Sequence, residues 1–107
     1  MLSDLKAALA ATGYKFAHFG WSKAPAGDYG VYAEDGENVL TANDKHLETA
    51  LQGSVDYFTR DDSDTPRTTI EAALNSIVCS WYLSSIQFED DTGYIHYEWI
   101  FEVPGHG

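Results

Sequence analysis

The segment YLSSIQFEDDTGYIHYEWIFEV, residues 82–103, contains the clearest structural pattern in the chain. Two β-prone runs, 82–89 and 94–103, flank the loop sequence Asp90-Asp91-Thr92-Gly93, which is typical of a hairpin. Folding about this loop predicts two sets of cross-strand pairs, one on each face. One face pairs Tyr82 with Phe101, Ser84 with Trp99, Ile86 with Tyr97 and Phe88 with Ile95. The other face pairs Gln87 with His96 and Ser85 with Glu98. A shift of one residue would expose Trp99 and Phe101, so the apolar face specifies the register.

A helix is predicted immediately before this hairpin, over 66–78. Its apolar residues recur at the spacing of one helical face, namely Ile70, Ala73, Leu74 and Ile77. Pro66 suits the first helical position, and Asp64 or Thr65 can cap it. A strand over 54–60 precedes this helix.

A second hairpin is predicted around Asp35-Gly36, between the β-prone runs 29–34 and 37–41. An Asp-Gly pair in this setting is the strongest short-range hairpin signal, and a two-residue turn would pair Tyr32 with Val39. Segment 43–52 has two interpretations: a helix capped by Gly53, or an extended lead into the next strand. Periodicity does not decide between them in so short a piece.

The N-terminal part of the chain predicts a helix capped by Ser3 and closed by Gly13, with Leu2, Leu5 and Leu9 on one stripe. A strand over 14–21 follows. We therefore expect a single α+β domain over 1–107, with segment order α-β-ββ-β-α-ββ. It would contain an antiparallel-rich sheet with two helices packed on one face, and residues 104–107 as a flexible tail.

The composition is strongly acidic, with 17 Asp and Glu against 6 Lys and Arg, a formal net charge of −11. Phosphate groups and anionic lipids repel such a surface, so we expect no direct nucleic-acid binding and no membrane association. No apolar run reaches the length of a membrane span, and no secretory leader pattern is present. The pattern favours an intracellular protein.

We expect no catalytic, cofactor-binding or metal-binding residues. The four histidines show no short ligand spacing. Cys79 is the sole cysteine and is predicted to be a buried, inert thiol. The acidic turn at 61–64 lacks the glycine and ligand alternation of a calcium loop. No serine lies in a nucleophile-elbow motif, and the glycines form no phosphate-binding loop.

The carboxylates are concentrated in three segments predicted as turns, 34–37, 61–64 and 89–91. They are Glu34, Asp35, Glu37, Asp61, Asp62, Asp64, Glu89, Asp90 and Asp91. The predicted topology brings the second and third segments to the same end of the sheet. The first joins them if 43–52 is extended, and lies at the other end if 43–52 is helical. The hypothesis is one negative rim, although solvated polar turns are also common.

Three stretches, 32–40, 53–59 and 89–99, resemble small structural proteins from the head–tail gene cluster of long-tailed bacteriophages and prophages. The most similar group is the tail-terminator, or tail-completion, proteins. The resemblance extends from the first helix to Val103 and is a pattern of segments without a catalytic motif.

The resemblance implies a non-enzymatic α+β subunit that forms a ring, typically a hexamer, on the head-proximal end of the tail tube. Its partners would be copies of itself, the tail tube protein and the head connector proteins. It would be located in the virion tail or neck, and in the host cytoplasm before assembly. Tyr14, Trp21 and Tyr29 lie on or beside predicted loops and are candidate subunit contacts, because aromatic side chains are favoured at interfaces. Ordinary packing is the alternative for each.

Two other functions fit the same residues. One is a different neck component, such as a head-completion subunit. The other is an acidic DNA mimic that inhibits a nuclease, which would require carboxylates spaced along a surface like phosphates.

Overall fold

The computed structural model describes residues 2–42 and 46–104, with side chains for 2–37 and 50–104. Its elements are α1 (Leu2–Ala11), β1 (Phe16–His18), β2 (Tyr29–Ala42), β3 (His46–Thr59), α2 (Thr65–Asn75), β4 (Ser80–Phe88) and β5 (Ile95–Pro104). The strands form one sheet in the order β1-β2-β3-β5-β4. β1 is parallel to β2, and the other neighbouring strands are antiparallel. The predicted α+β class and the order of helical and extended segments are confirmed.

Both helices pack on the same face of the sheet, which we call the covered face. The helices contribute four fully buried side chains, and the strands contribute aromatic and branched residues: Leu5, Leu9, Ile70, Leu74, Val55, Trp99, Phe101 and Val103. Along β5, buried residues alternate with half-buried ones from Tyr97 to Val103. This alternation is typical of an antiparallel sheet with helices on one side only. We call the opposite side the open face.

The predicted turn at Asp35-Gly36 is wrong. β2 continues through it to Ala42, and the bulge between Glu34 and Gly36 leaves Asp35 without an opposite residue on β3. Among the described glycines, Gly36 is not one of those with positive φ, whereas a type I′ turn needs positive φ at both central residues. Tyr32 therefore pairs with Val55, and Val39 pairs with Thr49.

Segment 46–52 is extended, and residues 43–45 lie outside the described residues. Gly53 is consequently not a helix cap but the centre of β3, between Glu34 of β2 and Phe101 of β5. A Cβ at this position would collide with the Ala33 carbonyl oxygen and the Glu34 Cα atom, and would press on the Phe101 ring. Only glycine lets the three strands approach this closely. This steric requirement explains a glycine in the middle of a strand, where its intrinsic strand propensity is low.

The C-terminal hairpin has the predicted register over its loop-proximal half. Ser85, Ile86, Gln87 and Phe88 pair with Glu98, Tyr97, His96 and Ile95. A bulge between Leu83 and Ser85 then shifts the register, so Trp99 pairs with Leu83 and Phe101 pairs with Trp81. The predicted pairs Ser84–Trp99 and Tyr82–Phe101 are therefore wrong. The bulge directs Trp81 and Leu83 toward the core and leaves Tyr82 exposed.

The two helices are close to their predicted positions. α1 ends where Gly13 takes a φ of 80°, and its Leu5 and Leu9 are buried as expected. α2 begins after Asp64, with Pro66 in its first turn, but it ends at Asn75, three residues earlier than predicted. β1 is only three residues long. The predicted tail at 104–107 lies outside the described residues except for Pro104, which ends β5.

Candidate functional site

Three loops meet at one end of the sheet, which we call the acidic end: 26–28, 60–64 and 89–94. The hydroxyl of Tyr94 donates a hydrogen bond to the Gly27 carbonyl oxygen at 2.8 Å. Nε of Arg60 donates to the Thr92 carbonyl oxygen at 2.9 Å, and its guanidinium carbon lies 4.0 Å from the centre of the Tyr94 ring. These contacts fix the three loops against one another.

The acidic end contains seven of the chain's 17 Asp and Glu residues. Arg60 is the single cation in these three loops, which hold seven carboxylates: Asp28, Asp61, Asp62, Asp64, Glu89, Asp90 and Asp91. Asp28 accepts hydrogen bonds from the Thr59 hydroxyl at 2.6 Å and the Arg60 backbone N–H at 3.2 Å. Hydrogen bonds from Ser63 lower the pKa of Asp61, which keeps that exposed carboxyl ionised. The local net charge is therefore strongly negative at neutral pH.

The structure brings six of the nine predicted rim residues to this end and separates the other three. Asp61, Asp62 and Asp64 lie in one loop, and Glu89, Asp90 and Asp91 lie in the adjacent one. Glu34, Asp35 and Glu37 lie within β2, five or more residues above Tyr29, which is roughly 17 Å along a strand. Glu34 accepts a hydrogen bond from His18 at 2.6 Å, and this bond lowers the pKa of Glu34.

The three predicted contact aromatics are all half-buried within the chain. The ring of Tyr14 stacks on Tyr57 with centroids 5.1 Å apart. Nε1 of Trp21 donates to the Gly30 carbonyl oxygen at 2.9 Å. Tyr29 stacks on Phe58 at 4.8 Å, and its burial raises its pKa. Each has intrachain partners, and none of them is among the exposed large hydrophobic residues of the described part of the chain.

A group of exposed large hydrophobic residues lies on and just before β4, where sequence reasoning did not place it. Tyr82, Ile86 and Phe88 are 60%, 50% and 65% exposed, and Val78 just before the strand is 76% exposed. β4 is the last strand of the sheet, so its outer edge has no neighbouring strand among the described residues. We call the strand and these side chains the β4 edge. The sequence signal for it is the run 75–88, which contains no charged residue.

The open face carries a partly buried ion pair. Nε2 of His96 lies 2.6 Å from Oδ2 of Asp56, and each side chain is 20% exposed. The imidazole also stacks on Phe58 at 4.1 Å. The hydrogen bond to Asp56 is the largest of the effects that raise the pKa of His96, and Glu89 and Glu98 add to it. The pair thus joins β3 to β5 on the side without helices.

Two chemical features considered from sequence are the thiol of Cys79 and the clustering of metal-ligand residues. Cys79 is half-buried, its thiol donates to the Leu74 carbonyl oxygen at 3.3 Å, and burial raises its pKa. Among the residues that the structure describes, no group of three or more His, Cys, Asp or Glu side chains is placed to hold a metal ion. Within the same residues, no helix has the length and apolarity to cross a membrane.

Comparisons with known proteins identify similarity at the level of fold. The sequence matches no protein-family model. It also matches no curated protein sequence. The structure is similar to a chain from the virion of a native gene transfer agent particle, with a TM-score of 0.56 and 12% sequence identity. The likeness covers 99% of this chain and 91% of that chain, so it includes both helices and the whole sheet. At this identity, the comparison shows a shared fold.

Proposed function

We propose that this chain is a non-enzymatic virion structural protein that acts as a single domain, and specifically a tail-terminator subunit. In this role, copies form a ring, typically a hexamer in the proteins that the chain resembles, that caps the head-proximal end of a tail tube and contacts the head connector. The observation that carries the proposal is the likeness over 99% of the chain to a component of a gene transfer agent virion. The segment resemblance described above supports the narrower assignment.

The distribution of charge supports a role next to DNA without a role in binding it. Seven carboxylates and one arginine at the acidic end repel the phosphate backbone, so a passing duplex would not be held there. A nuclease inhibitor that mimics DNA would need carboxylates along an extended track. The structure instead gathers six of the nine predicted rim residues in two adjacent loops, which favours the structural role.

Genetic deletion in a strain that produces particles encoding this chain tests the proposal. We expect tail tubes of uncontrolled length and heads without tails in electron micrographs, because a terminator stops tube growth. A plasmid copy of the chain should restore normal tails. Antibody labelling of complemented particles should mark the junction between head and tail.

Other outcomes would contradict the assignment in distinguishable ways. Tails of normal length that fail to join heads would indicate a head-completion subunit. Normal particles that lack the protein would exclude a virion role. Inhibition of a purified nuclease at equimolar protein would support the DNA mimic.

A further inference from the structure

The β4 edge has the composition of an inner strand although it lies at the border of the sheet. Tyr82 projects on the open face, since it is opposite Ile100, and Ile86 and Phe88 project on the covered face, opposite Tyr97 and Ile95. Both sides of the strand therefore present large apolar groups to solvent. Natural edge strands are usually protected by charged residues or proline, and the nine residues of β4 include neither. Such an edge is typical of a strand that pairs with another chain.

The charge pattern favours a second copy of this protein as that other chain. Two copies with a net charge of −11 repel each other over most of their surfaces. Residues 75–88 carry no charge, so a contact along β4 brings fewer carboxylates together than a contact at the acidic end. Ile86 and Phe88, 50% and 65% exposed, lie two residues apart on the covered face and form an exposed apolar pair at this border.

The opposite border of the same sheet offers a matching surface. β1 is the other terminal strand, and Phe19 directly after it is 66% exposed. The imidazole of His18 stacks on Phe19 at 4.2 Å and on the buried ring of Tyr32 at 4.8 Å. Two rings cannot stack on the same face of one imidazole. Because Tyr32 of β2 occupies one face of the His18 ring, Phe19 occupies the opposite face, which points away from β2. It therefore faces outward, on the covered face, as Ile86 and Phe88 do.

Strand lengths and directions agree with a head-to-tail contact between these borders. The bulge at Ser84 divides β4 into two straight pieces, and the piece 85–88 is long enough for the three residues of β1. Tracing the pairings across the sheet shows that β4 runs opposite to β1. A rotation about an axis along the strands keeps their directions, so β4 of one copy would meet β1 of the next in antiparallel fashion.

We propose that residues 85–88 of one copy pair with β1 of the next copy, with Phe19 packed against Ile86 and Phe88. Because the two surfaces differ, repetition of this contact closes a ring when the rotation between copies permits it. The inference deepens the proposed function by naming the surfaces that a ring would use. It depends on that function only for the number of copies, not for the contact itself.

Mixed cross-linking of purified protein tests the pairing. Phe19→Cys and Ile86→Cys are each made in a Cys79→Ser background, and a short bis-maleimide is added at millimolar protein. We expect covalent dimers when the two variants are mixed, and none above background when either is used alone. A mixture of Ile86→Cys with Thr68→Cys, on an exposed position of α2, is the matched control. Dimers from Ile86→Cys alone would show symmetric β4–β4 pairing and overturn the proposal.

A charge substitution gives a second measurement that does not need cysteine. The variant Ile86→Lys with Phe88→Lys should weaken self-association at least tenfold in sedimentation equilibrium. Ala72→Lys, on the exposed side of α2, should leave it unchanged. Circular dichroism checks that each variant is folded. A wild-type chain that stays monomeric at millimolar concentration, or the double variant associating like wild type, would overturn the proposal.

The outcomes separate this inference from the proposed function. A specific mixed cross-link in a protein absent from particles retains the edge contact and rejects the virion role. A protein present at the head–tail junction without the mixed cross-link retains the role and rejects the contact.

Discussion

The acidic end and the β4 edge are adjacent in sequence and opposite in chemistry. Three loops at the acidic end hold seven carboxylates and one cation, whereas the fourteen residues 75–88 hold no charge. The boundary between them falls at a single peptide bond, from Phe88 to Glu89. The chain therefore concentrates repulsion at one end of the sheet and removes it along one border.

This difference separates two requirements that a single uniform surface could not meet. A high net charge of one sign opposes contacts between copies of a chain. An uncharged border lets two copies touch without bringing carboxylates together. The most informative experiments change either the packed sheet that supports both regions or the charge of one region.

The largest effect should follow from removing a buried side chain of β5, the strand that joins β4 to the rest of the sheet. Trp99 is fully buried, pairs with Leu83 of β4 and Val55 of β3, and donates a hydrogen bond to Glu71 at 3.0 Å. Trp99→Ala should lower the free energy of unfolding by about 3–5 kcal/mol, because it leaves a large cavity and removes one of the two hydrogen bonds to Oε2 of Glu71, the other coming from Arg67. Urea denaturation followed by circular dichroism measures this loss. Trp99→Phe keeps a ring but not the donor, and should lose less; equal losses for both variants would contradict the packing argument.

An intermediate effect should appear as a pH dependence at the His96–Asp56 pair. The pKa of His96 is raised above the ordinary value of about 6.5, chiefly by the hydrogen bond to Asp56. The stability that this pair contributes is thus fully present below about pH 6.5 and declines as the pH rises through the raised pKa. Urea midpoints of wild type and His96→Gln, measured from pH 5.5 to 8.5, should differ most at the acid end.

Asp56→Asn provides the control for that prediction, since it removes the other member of the ion pair. It should flatten the pH profile as His96→Gln does. A profile that retains its slope in Asp56→Asn would show that the titration arises elsewhere.

The smallest effect should come from reducing charge at the acidic end. Asp90→Asn with Asp91→Asn relieves repulsion among neighbouring exposed carboxylates, and should raise stability by about a few tenths of a kcal/mol at low salt. The gain should vanish near 1 M salt, where charges are screened within about 3 Å. Thermal unfolding at two salt concentrations measures it. Glu37→Gln, distant on β2, is the control and should show a smaller gain; an equal gain would mean that the acidic end is not electrostatically special.

Local signals in the sequence predicted the elements, whereas long-range pairing decided the strand boundaries. The stripe of Ile70 and Leu74 predicted α2, and the loop after Phe88 predicted the loop-proximal half of the C-terminal hairpin correctly. Asp35-Gly36 has the sequence of a turn, but pairing of β2 with β3 along its whole length outweighed that local preference. The requirement for glycine at position 53 arises from contacts with two other strands, which no local pattern reveals.

The candidate surfaces show the same limit. The charge of the loops at 61–64 and 89–91 is readable from the sequence, and their proximity followed from the predicted topology. The exposure of Tyr82 was not predictable, because the bulge at Ser84 reverses which side residues 80–83 of β4 face. The uncharged run 75–88 was visible in the sequence, but its position at the sheet border depends on the strand order.

The placement of Glu89, Asp90 and Asp91 directly after β4 also has a consequence during synthesis. Hairpins with short loops form early, whereas β5 must dock on β3 across the intervening helix, which is a slower step. Until that step, the apolar β4–β5 hairpin is exposed in a partly folded chain and is prone to aggregation. Carboxylates flanking such a segment act as gatekeepers, so we expect this loop to protect the nascent protein before it has any partner to bind.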